Sequence, residues 1–188
     1  MNRPLVKAVV MGGSAGSLEA LSTILGSIPA GFQASIFITV HVPSDRKNAL
    51  VEVLQSKCQL EVREAEDKEP ICPATVYVAP PDYHLLIEKD GTMALSSDEP
   101  VFYSRPAIDV LFESAADIYG PSLVGIVLSG ANEDGANGLR AIQEAGGMVL
   151  VQDASQAYAS AMPEAALAAC SEARMLSVGE LSEFLKSL

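Results

Sequence analysis

A serine, a histidine and an aspartate each follow a predicted strand of this chain: Ser14, His41 and Asp134. A serine hydroxyl becomes a nucleophile when an imidazole accepts its proton and a carboxylate orients that imidazole. Ser14 lies in the segment GGSAG, which satisfies the G-x-S-x-G pattern between a predicted strand and a predicted helix. The pattern alone is weak, because glycine- and serine-rich turns of this kind are usually only tight turns.

The chain contains only two histidines, so there are two candidates for the base. His41 directly follows the apolar strand predicted over residues 35–40, and we expect it at the same sheet edge as Ser14. His84 stands at the start of a hairpin strand, where a structural role is the simpler interpretation. We therefore favour His41 as the general base.

Asp134 follows the buried strand predicted over residues 123–128 through a glycine-rich turn, and it is the candidate third member. The same side chain could also cap the helix that follows it. The order Ser, His, Asp differs from that of the usual α/β-hydrolase, in which the acid precedes the histidine. Because no histidine follows residue 84, these residues form either a triad on a different fold or no triad.

The turn around Ser14 has a second interpretation as an anion site at the amino terminus of a helix. It lacks the lysine and the spacing of a Walker phosphate loop, and it does not match G-x-G-x-x-G. A non-catalytic binding module therefore stays open as the alternative.

The elements that position these residues alternate between strand and helix. Buried strands are predicted over residues 5–10, 35–40, 123–128 and 148–151, and helices over residues 18–25, 48–57, 108–119, 136–145, 163–170 and 177–188, with Asp45 as a cap of the second helix. Strand segments 75–79, 84–88 and 93–96, with an Asp-Gly turn at 90–91, predict an inserted antiparallel hairpin. The predicted fold class is α/β, a doubly wound and mostly parallel sheet with helices on both faces, in a single domain over residues 1–188.

Composition excludes several classes of function. The 188 residues carry a formal net charge of −12 and no basic cluster, which disfavours nucleic-acid binding. The three cysteines, Cys58, Cys72 and Cys170, lack C-x-x-C spacing and indicate reduced thiols, and we expect neither a metal nor a cofactor. No apolar stretch approaches the ~20 residues that a bilayer-spanning helix needs, so we expect no membrane insertion and a cytoplasmic location.

Six segments occur in one order along the chain: GGSAGSLEAL, ITVHVP, VYVAPPDYHLLI, YSRPAIDVLFESAA, VLSGANEDGANGL and AMPEAAL. On these segments the chain resembles the catalytic domain of chemotaxis protein-glutamate methylesterases, the CheB type, from Val9 to the Met162-Pro163 region. The resemblance implies a serine esterase that hydrolyses glutamate γ-methyl esters on the cytoplasmic domain of methylated chemoreceptors and releases methanol. It also implies that some members deamidate receptor glutamines. The family triad corresponds to Ser14, His41 and Asp134.

Under this resemblance, the backbone amides near Ala15 and Ala131 are candidate oxyanion donors. Family members often have threonine and methionine at these two positions, so an esterase acting on another acyl substrate is a further alternative. Arg105 has two interpretations: it anchors the substrate or the acid loop, or it is a surface residue at the start of a helix.

Many family members carry a receiver domain whose phosphorylation relieves inhibition of the esterase. Here the first catalytic strand begins within ten residues of Met1, so we expect no attached receiver. The activity would then be constitutive or controlled by a separate response-regulator receiver. A module that binds a receptor helix without catalysis is the corresponding non-enzymatic alternative.

Overall fold

Seven parallel strands form the central sheet of the computed structural model, which describes residues 5–41 and 49–188. The strands of the described chain are β1 (Ala8–Gly13), β2 (Ser35–Val40), β3 (Glu61–Glu64), β4 (Thr75–Val78), β5 (His84–Ile87), β6 (Met93–Ser96), β7 (Leu123–Val127), β8 (Met148–Gln152) and β9 (Arg174–Leu176). The order across the sheet is β3-β4-β2-β1-β7-β8-β9, and β5 and β6 form a separate antiparallel pair.

Helices cover both faces of the sheet. They are α1 (Ser17–Ser27), α2 (Ala49–Gln55), α3 (Ile108–Tyr119), α4 (Ala136–Glu144), α5 (Ala161–Ala169) and α6 (Val178–Lys186), with one 3₁₀ turn at Gly120–Ser122. Apolar side chains of α1, α2 and α6 pack on one face, and those of α3, α4, α5 and the β5–β6 hairpin pack on the other. Burial on both faces explains why β1, β2 and β7 are buried along their whole length.

The direction of winding reverses at β1, which pairs with β2 on one side and with β7 on the other. After β1 the chain builds the sheet towards β4 and β3, and it then returns to the opposite side of β1 to form β7, β8 and β9. A crevice forms at the carboxyl ends of the strands where such a reversal occurs. Ser14, which follows β1, His41, which follows β2, and the loop after β7 lie at this edge of the sheet.

The doubly wound sheet, the helices on both faces and the inserted hairpin are confirmed. Two strands, β3 and β9, were not predicted. The predicted first strand is shifted, because β1 runs three residues beyond Val10 and includes Gly12 and Gly13. The cap Asp45 and the first residue of the second predicted helix lie outside the described residues. Within the described ranges, no helix has the length and apolarity needed to span a membrane.

Gly16 and Gly91 both have a positive φ, +79° and +81°, but their surroundings differ. A Cβ at Gly16 would lie 2.2 Å from the Cβ of Tyr158, whereas a Cβ at Gly91 meets no atom within 4 Å. We expect Gly91→Ala to lower the free energy of unfolding by about 1 kcal/mol, the cost of a left-handed alanine. Gly16→Ala should lower it by roughly 3 kcal/mol, because overpacking adds to the same backbone cost. Urea denaturation of both variants measures the difference, and equal losses would contradict the close packing of Tyr158 on Gly16.

Candidate active site

Ser14 and His41 directly follow adjacent strands, and backbone hydrogen bonds continue the pairing of β1 with its two neighbours just beyond the strand ends. The His41 N–H donates to the Gly13 carbonyl at 3.2 Å, and the Ser14 N–H donates to the Ser129 carbonyl at 2.8 Å. The ladder of β1 thus continues by one residue on each side. As a result, Ser14 lies between the loop that contains His41 and the loop that leads to Asp134.

His41 and Asp134 form a direct side-chain contact. The His41 Nε2 and the Asp134 Oδ2 are 2.7 Å apart, and the two side chains are 10% and 0% exposed. Because Nε2 faces the carboxylate, Nδ1 is the ring nitrogen left for another partner. Among the described residues, the Ser14 hydroxyl makes no hydrogen bond with His41. The structure therefore brings the predicted base and acid together, and it places the predicted nucleophile on the neighbouring loop.

The Asp134 carboxylate is also held by the first amides of α3. Its Oδ2 accepts a hydrogen bond from the Ile108 N–H at 2.7 Å, and its Oδ1 accepts one from the Asp109 N–H at 2.9 Å. The positive end of a helix stabilises an anion in this position. Asp134 does not cap α4, the helix that follows it, whose N-cap is Gly135 without a side-chain cap bond.

Asp109 makes the reciprocal contacts from the first turn of α3. Its Oδ1 accepts hydrogen bonds from the N–H groups of Gly135 at 2.9 Å and Gly138 at 2.7 Å, and its Oδ2 accepts one from the Asn137 side chain at 3.3 Å. The residue is 5% exposed. Burial raises the pKa of the Asp109 carboxyl, and the charge of Asp134 acts in the same direction, while the hydrogen bond from Gly138 opposes them.

Buried polar groups fix the backbone of the serine loop. The Ser129 hydroxyl is 2.6 Å from the Ala15 carbonyl and accepts a hydrogen bond from the Ala159 N–H at 2.9 Å. The side chain of Gln152 accepts from the Ser129 N–H at 2.9 Å. The Ser17 hydroxyl donates to the Ser14 carbonyl at 2.8 Å. These contacts hold the turn around Ser14 without using its own hydroxyl.

The predicted oxyanion donors lie in the two loops beside Ser14. The Ala15 residue is half-buried and Ala131 is exposed. Within residues 5–41 and 49–188, neither backbone N–H has a protein acceptor, whereas the N–H of Ser14 is already bonded. The role of Ala15 and Ala131 stays a prediction.

Arg105 lies just before α3, and His84, the histidine not favoured as the base, begins β5. The Arg105 guanidinium donates to the carbonyls of Ser97 and Asp98 at 2.8 and 3.1 Å, and its role in the site stays a prediction. His84 is 1% exposed; its Nδ1 accepts from the Ala107 N–H, so its Nε2 carries the proton donated to the Glu99 carbonyl. Both ring nitrogens of His84 are therefore used in structural bonds.

Cysteine chemistry and metal binding find no support in the described ranges. Cys58 and Cys170 are buried free thiols, and Cys72 is an exposed one. Burial raises the pKa of Cys170 to about 11, so its thiolate is scarce near neutral pH. No group of three or more histidine, cysteine, aspartate or glutamate side chains in the described part is arranged to hold a metal ion.

Comparison with known proteins assigns the chain to a family. The family model for CheB methylesterase matches residues 9–185. The chain belongs to the CheB methylesterase family. The catalytic domain of the Thermotoga maritima CheB methylesterase, solved as a crystal structure, superposes on it with a TM-score of 0.92 at 31% identity, covering 97% of this chain and 98% of that one.

Relatives of different lengths share this CheB methylesterase region. A Leptospira interrogans protein is 45% identical over 177 residues, which cover 94% of this chain and 92% of that protein. A Geobacter metallireducens protein, named protein-glutamate methylesterase/protein-glutamine glutaminase 1, is 38% identical over 178 residues, which cover 93% of this chain and 49% of that protein. The chain thus spans about half the length of the second relative.

Two polar residues of this CheB-type site were not assigned a role from the sequence. Asp109 occupies the first turn of its own helix, where an acidic residue is ordinary, and its partners are more than 25 residues away in the chain. Ser129 was recognised only as part of a glycine-rich turn. Only the packing of α3 against α4, and of the β7 loop against the β1 loop, reveals their contacts.

Thiol labelling of the native protein tests the exclusion of a reactive cysteine. At pH 8 we expect one fast-reacting thiol per chain, Cys72, because Cys58 and Cys170 are buried and burial raises the pKa of both. Labelling with a chromogenic disulfide reagent measures the stoichiometry, and Cys72→Ser should remove the fast phase. A second fast thiol in the native protein would contradict the prediction.

Proposed function

We propose that this chain is a cytoplasmic protein-glutamate methylesterase that hydrolyses glutamate γ-methyl esters on the cytoplasmic domain of methylated chemoreceptors and releases methanol. Membership of the CheB methylesterase family and the names of its relatives support this activity. The observation that carries the proposal is the 2.7 Å contact between His41 and Asp134 beside the loop of Ser14. A non-catalytic binding module would have no need of a buried imidazole–carboxylate pair next to a serine.

The geometry supports a defined division of roles between the two ring nitrogens. In neutral His41, the proton on Nε2 is donated to Asp134, which leaves Nδ1 unprotonated and able to accept the Ser14 proton. The Ser14 oxygen attacks the ester carbonyl as its proton moves to Nδ1. Asp134 then stabilises the imidazolium, and the imidazolium returns that proton to the departing methoxide, so that methanol leaves.

Deacylation reverses these roles on a water molecule. Water loses a proton to His41 and attacks the glutamyl ester of Ser14. The acyl C–O bond then breaks, the imidazolium returns that proton to the Ser14 oxygen, and the glutamate is released and ionises to its carboxylate. The N–H groups of Ala15 and Ala131 are the proposed oxyanion donors, because both lack a protein acceptor among the described residues. A main-chain donor does not depend on the side chain at these positions.

The same site can act on a side-chain amide, and we include glutamine deamidation in the proposal. The bond that breaks is then C–N, and the imidazolium gives its proton to the departing amide nitrogen, so that ammonia leaves instead of methanol. The name of the Geobacter metallireducens relative includes protein-glutamine glutaminase, which supports this second substrate.

Replacement of the nucleophile provides the direct test. Ser14→Ala should reduce methanol release from a methylated receptor fragment by roughly 10³-fold or more, because only binding and oxyanion stabilisation remain. Ser27→Ala, at the other end of α1, is the matched control, since its hydroxyl donates to the Ile24 carbonyl of the same helix at 2.6 Å. Methanol is quantified after removal of the protein.

Three results would redirect the proposal. Methanol release by Ser14→Ala at the wild-type rate would overturn the assignment of the nucleophile. An inert wild type that is still acylated at Ser14 by p-nitrophenyl acetate would indicate another acyl substrate. Failure of both reactions would favour the binding module.

A separate phosphorylated receiver domain is the proposed regulatory partner, because the resemblance assigns such a domain to many family members. We expect its addition to change the turnover of this chain severalfold under single-substrate conditions. Turnover on a methylated receptor fragment, with the phosphorylated and the unphosphorylated receiver in parallel, measures the effect. Identical rates in both reactions would support constitutive activity instead.

A further inference from the structure

Two buried carboxylates connect the starts of α3 and α4. Asp134, which precedes α4, binds the first amides of α3, and Asp109, on α3, binds amides at the start of α4. Asp134 accepts hydrogen bonds from the N–H groups of Ile108 and Asp109, at 2.7 and 2.9 Å. Asp109 accepts hydrogen bonds from the N–H groups of Gly135 and Gly138, at 2.9 and 2.7 Å. Four amide–carboxylate bonds therefore join the two helix starts.

Asp109 takes the place of a local cap for α4. The N-cap of α4 is Gly135, which has φ +96° and no side chain to offer the free amides of the first turn. Gly135, whose N–H donates to Asp109, directly follows Asp134 in the chain. A displacement of the Asp109 side chain thus acts on the backbone that carries Asp134.

The proximity of Asp109 and Asp134 also has an electrostatic cost. Two carboxylates of like charge share a junction with little solvent, since Asp109 is 5% exposed and Asp134 is 0% exposed. Glu113 on α3 is a third carboxyl nearby: burial raises its pKa, and the charges of Asp109 and Asp134 act in the same direction. A helix start that needed only a cap could use a neutral serine or asparagine. A charged carboxylate accepts stronger hydrogen bonds than these neutral groups, so Asp109 holds the turn beside Asp134 more firmly than a neutral cap would.

We propose that Asp109 is a positioning residue for the esterase reaction: by binding the amides of Gly135 and Gly138, it fixes the Asp134 carboxylate towards His41. This inference rests on the proposed function. Asp109 touches neither the substrate nor His41 and acts only through the backbone on which Asp134 is carried. Small misplacements of an orienting group reduce turnover strongly, while substrate binding is little affected.

Asp109→Ala and Asp109→Asn test this role against a purely structural one. We expect Asp109→Ala to lower kcat for methanol release by about 10- to 100-fold, with KM within about threefold of wild type. Asp109→Asn keeps an oxygen that can accept from Gly135 and Gly138, so its kcat should fall by only about two- to tenfold. Recovery of kcat by the conservative variant, with KM unchanged, is a readout that a loss of stability alone would not give.

Ser114→Ala is the matched control for stability. Ser114 lies on the same helix, and its hydroxyl accepts from the Ile87 N–H of the hairpin at 3.0 Å without contacting α4. Its removal should lower the denaturation midpoint and leave kcat and KM unchanged. If folded Asp109→Ala matches Ser114→Ala in kcat, the positioning role is overturned. If Asp109→Ala does not fold, Asp109→Ser takes its place, because it offers one shorter hydroxyl instead of the carboxylate, and wild-type kcat in that variant overturns the role equally.

The choice of substrates separates this inference from the proposed function. Each variant is assayed on a methylated receptor fragment and on p-nitrophenyl acetate, with Ser14→Ala as the inactive reference. Wild-type rates for the Asp109 variants on both substrates overturn the positioning role and leave the function intact. If the wild type acts on p-nitrophenyl acetate alone, the receptor methyl ester is overturned as the substrate. The rates of the variants on p-nitrophenyl acetate then still decide the role of Asp109. If the wild type acts on neither, both proposals fall.

Discussion

The pairing of β1 with a parallel strand on each side is the constraint on which the rest of the structure depends. Because β2 and β7 run parallel to β1 in a continuous register, all three strands end at one edge. Ser14, His41 and the loop that leads to Asp134 therefore lie side by side at the end of the sheet, although the residues are distant in the chain. Glycines at the end of β1 allow this, since a Cβ at Gly12 would lie 2.3 Å from Ile108.

The contacts of Asp134 connect this edge to the helices on one face. The carboxylate binds His41 on one side and the first amides of α3 on the other. Ile108 supplies one of these amides and also packs its side chain on Gly12, so packing and polar contacts converge on the start of a single helix. His84 holds the preceding residue, Ala107, through its ring nitrogen. The β5–β6 hairpin thus helps to fix the start of α3, which binds the Asp134 carboxylate.

The sequence predicted the architecture because buried parallel strands and amphipathic helices leave clear apolar patterns. It did not predict β3 and β9, which are short edge strands: Glu61 and Glu64 are exposed in β3, and β9 has three residues. Such segments resemble loops until a neighbouring strand pairs with them. The contact between His41 and Asp134 followed from their positions after two strands. The partners of Asp109 could not be predicted, because they depend on how α3 packs against α4.

The use of helix ends in place of basic side chains has a consequence for ionic conditions. The chain has a net charge of −12, and in its described part His41 is the only basic side chain in contact with Asp134. The amides that face the Asp134 carboxylate are fixed dipoles inside the protein, where dissolved ions do not reach them. Salt screens the long-range charge interactions through which an acidic protein docks on its partner. It does not screen the interaction of these buried N–H groups with the Asp134 carboxylate. For the proposed function, this means that ionic strength acts on the encounter with the receptor and leaves the bond-breaking steps nearly untouched.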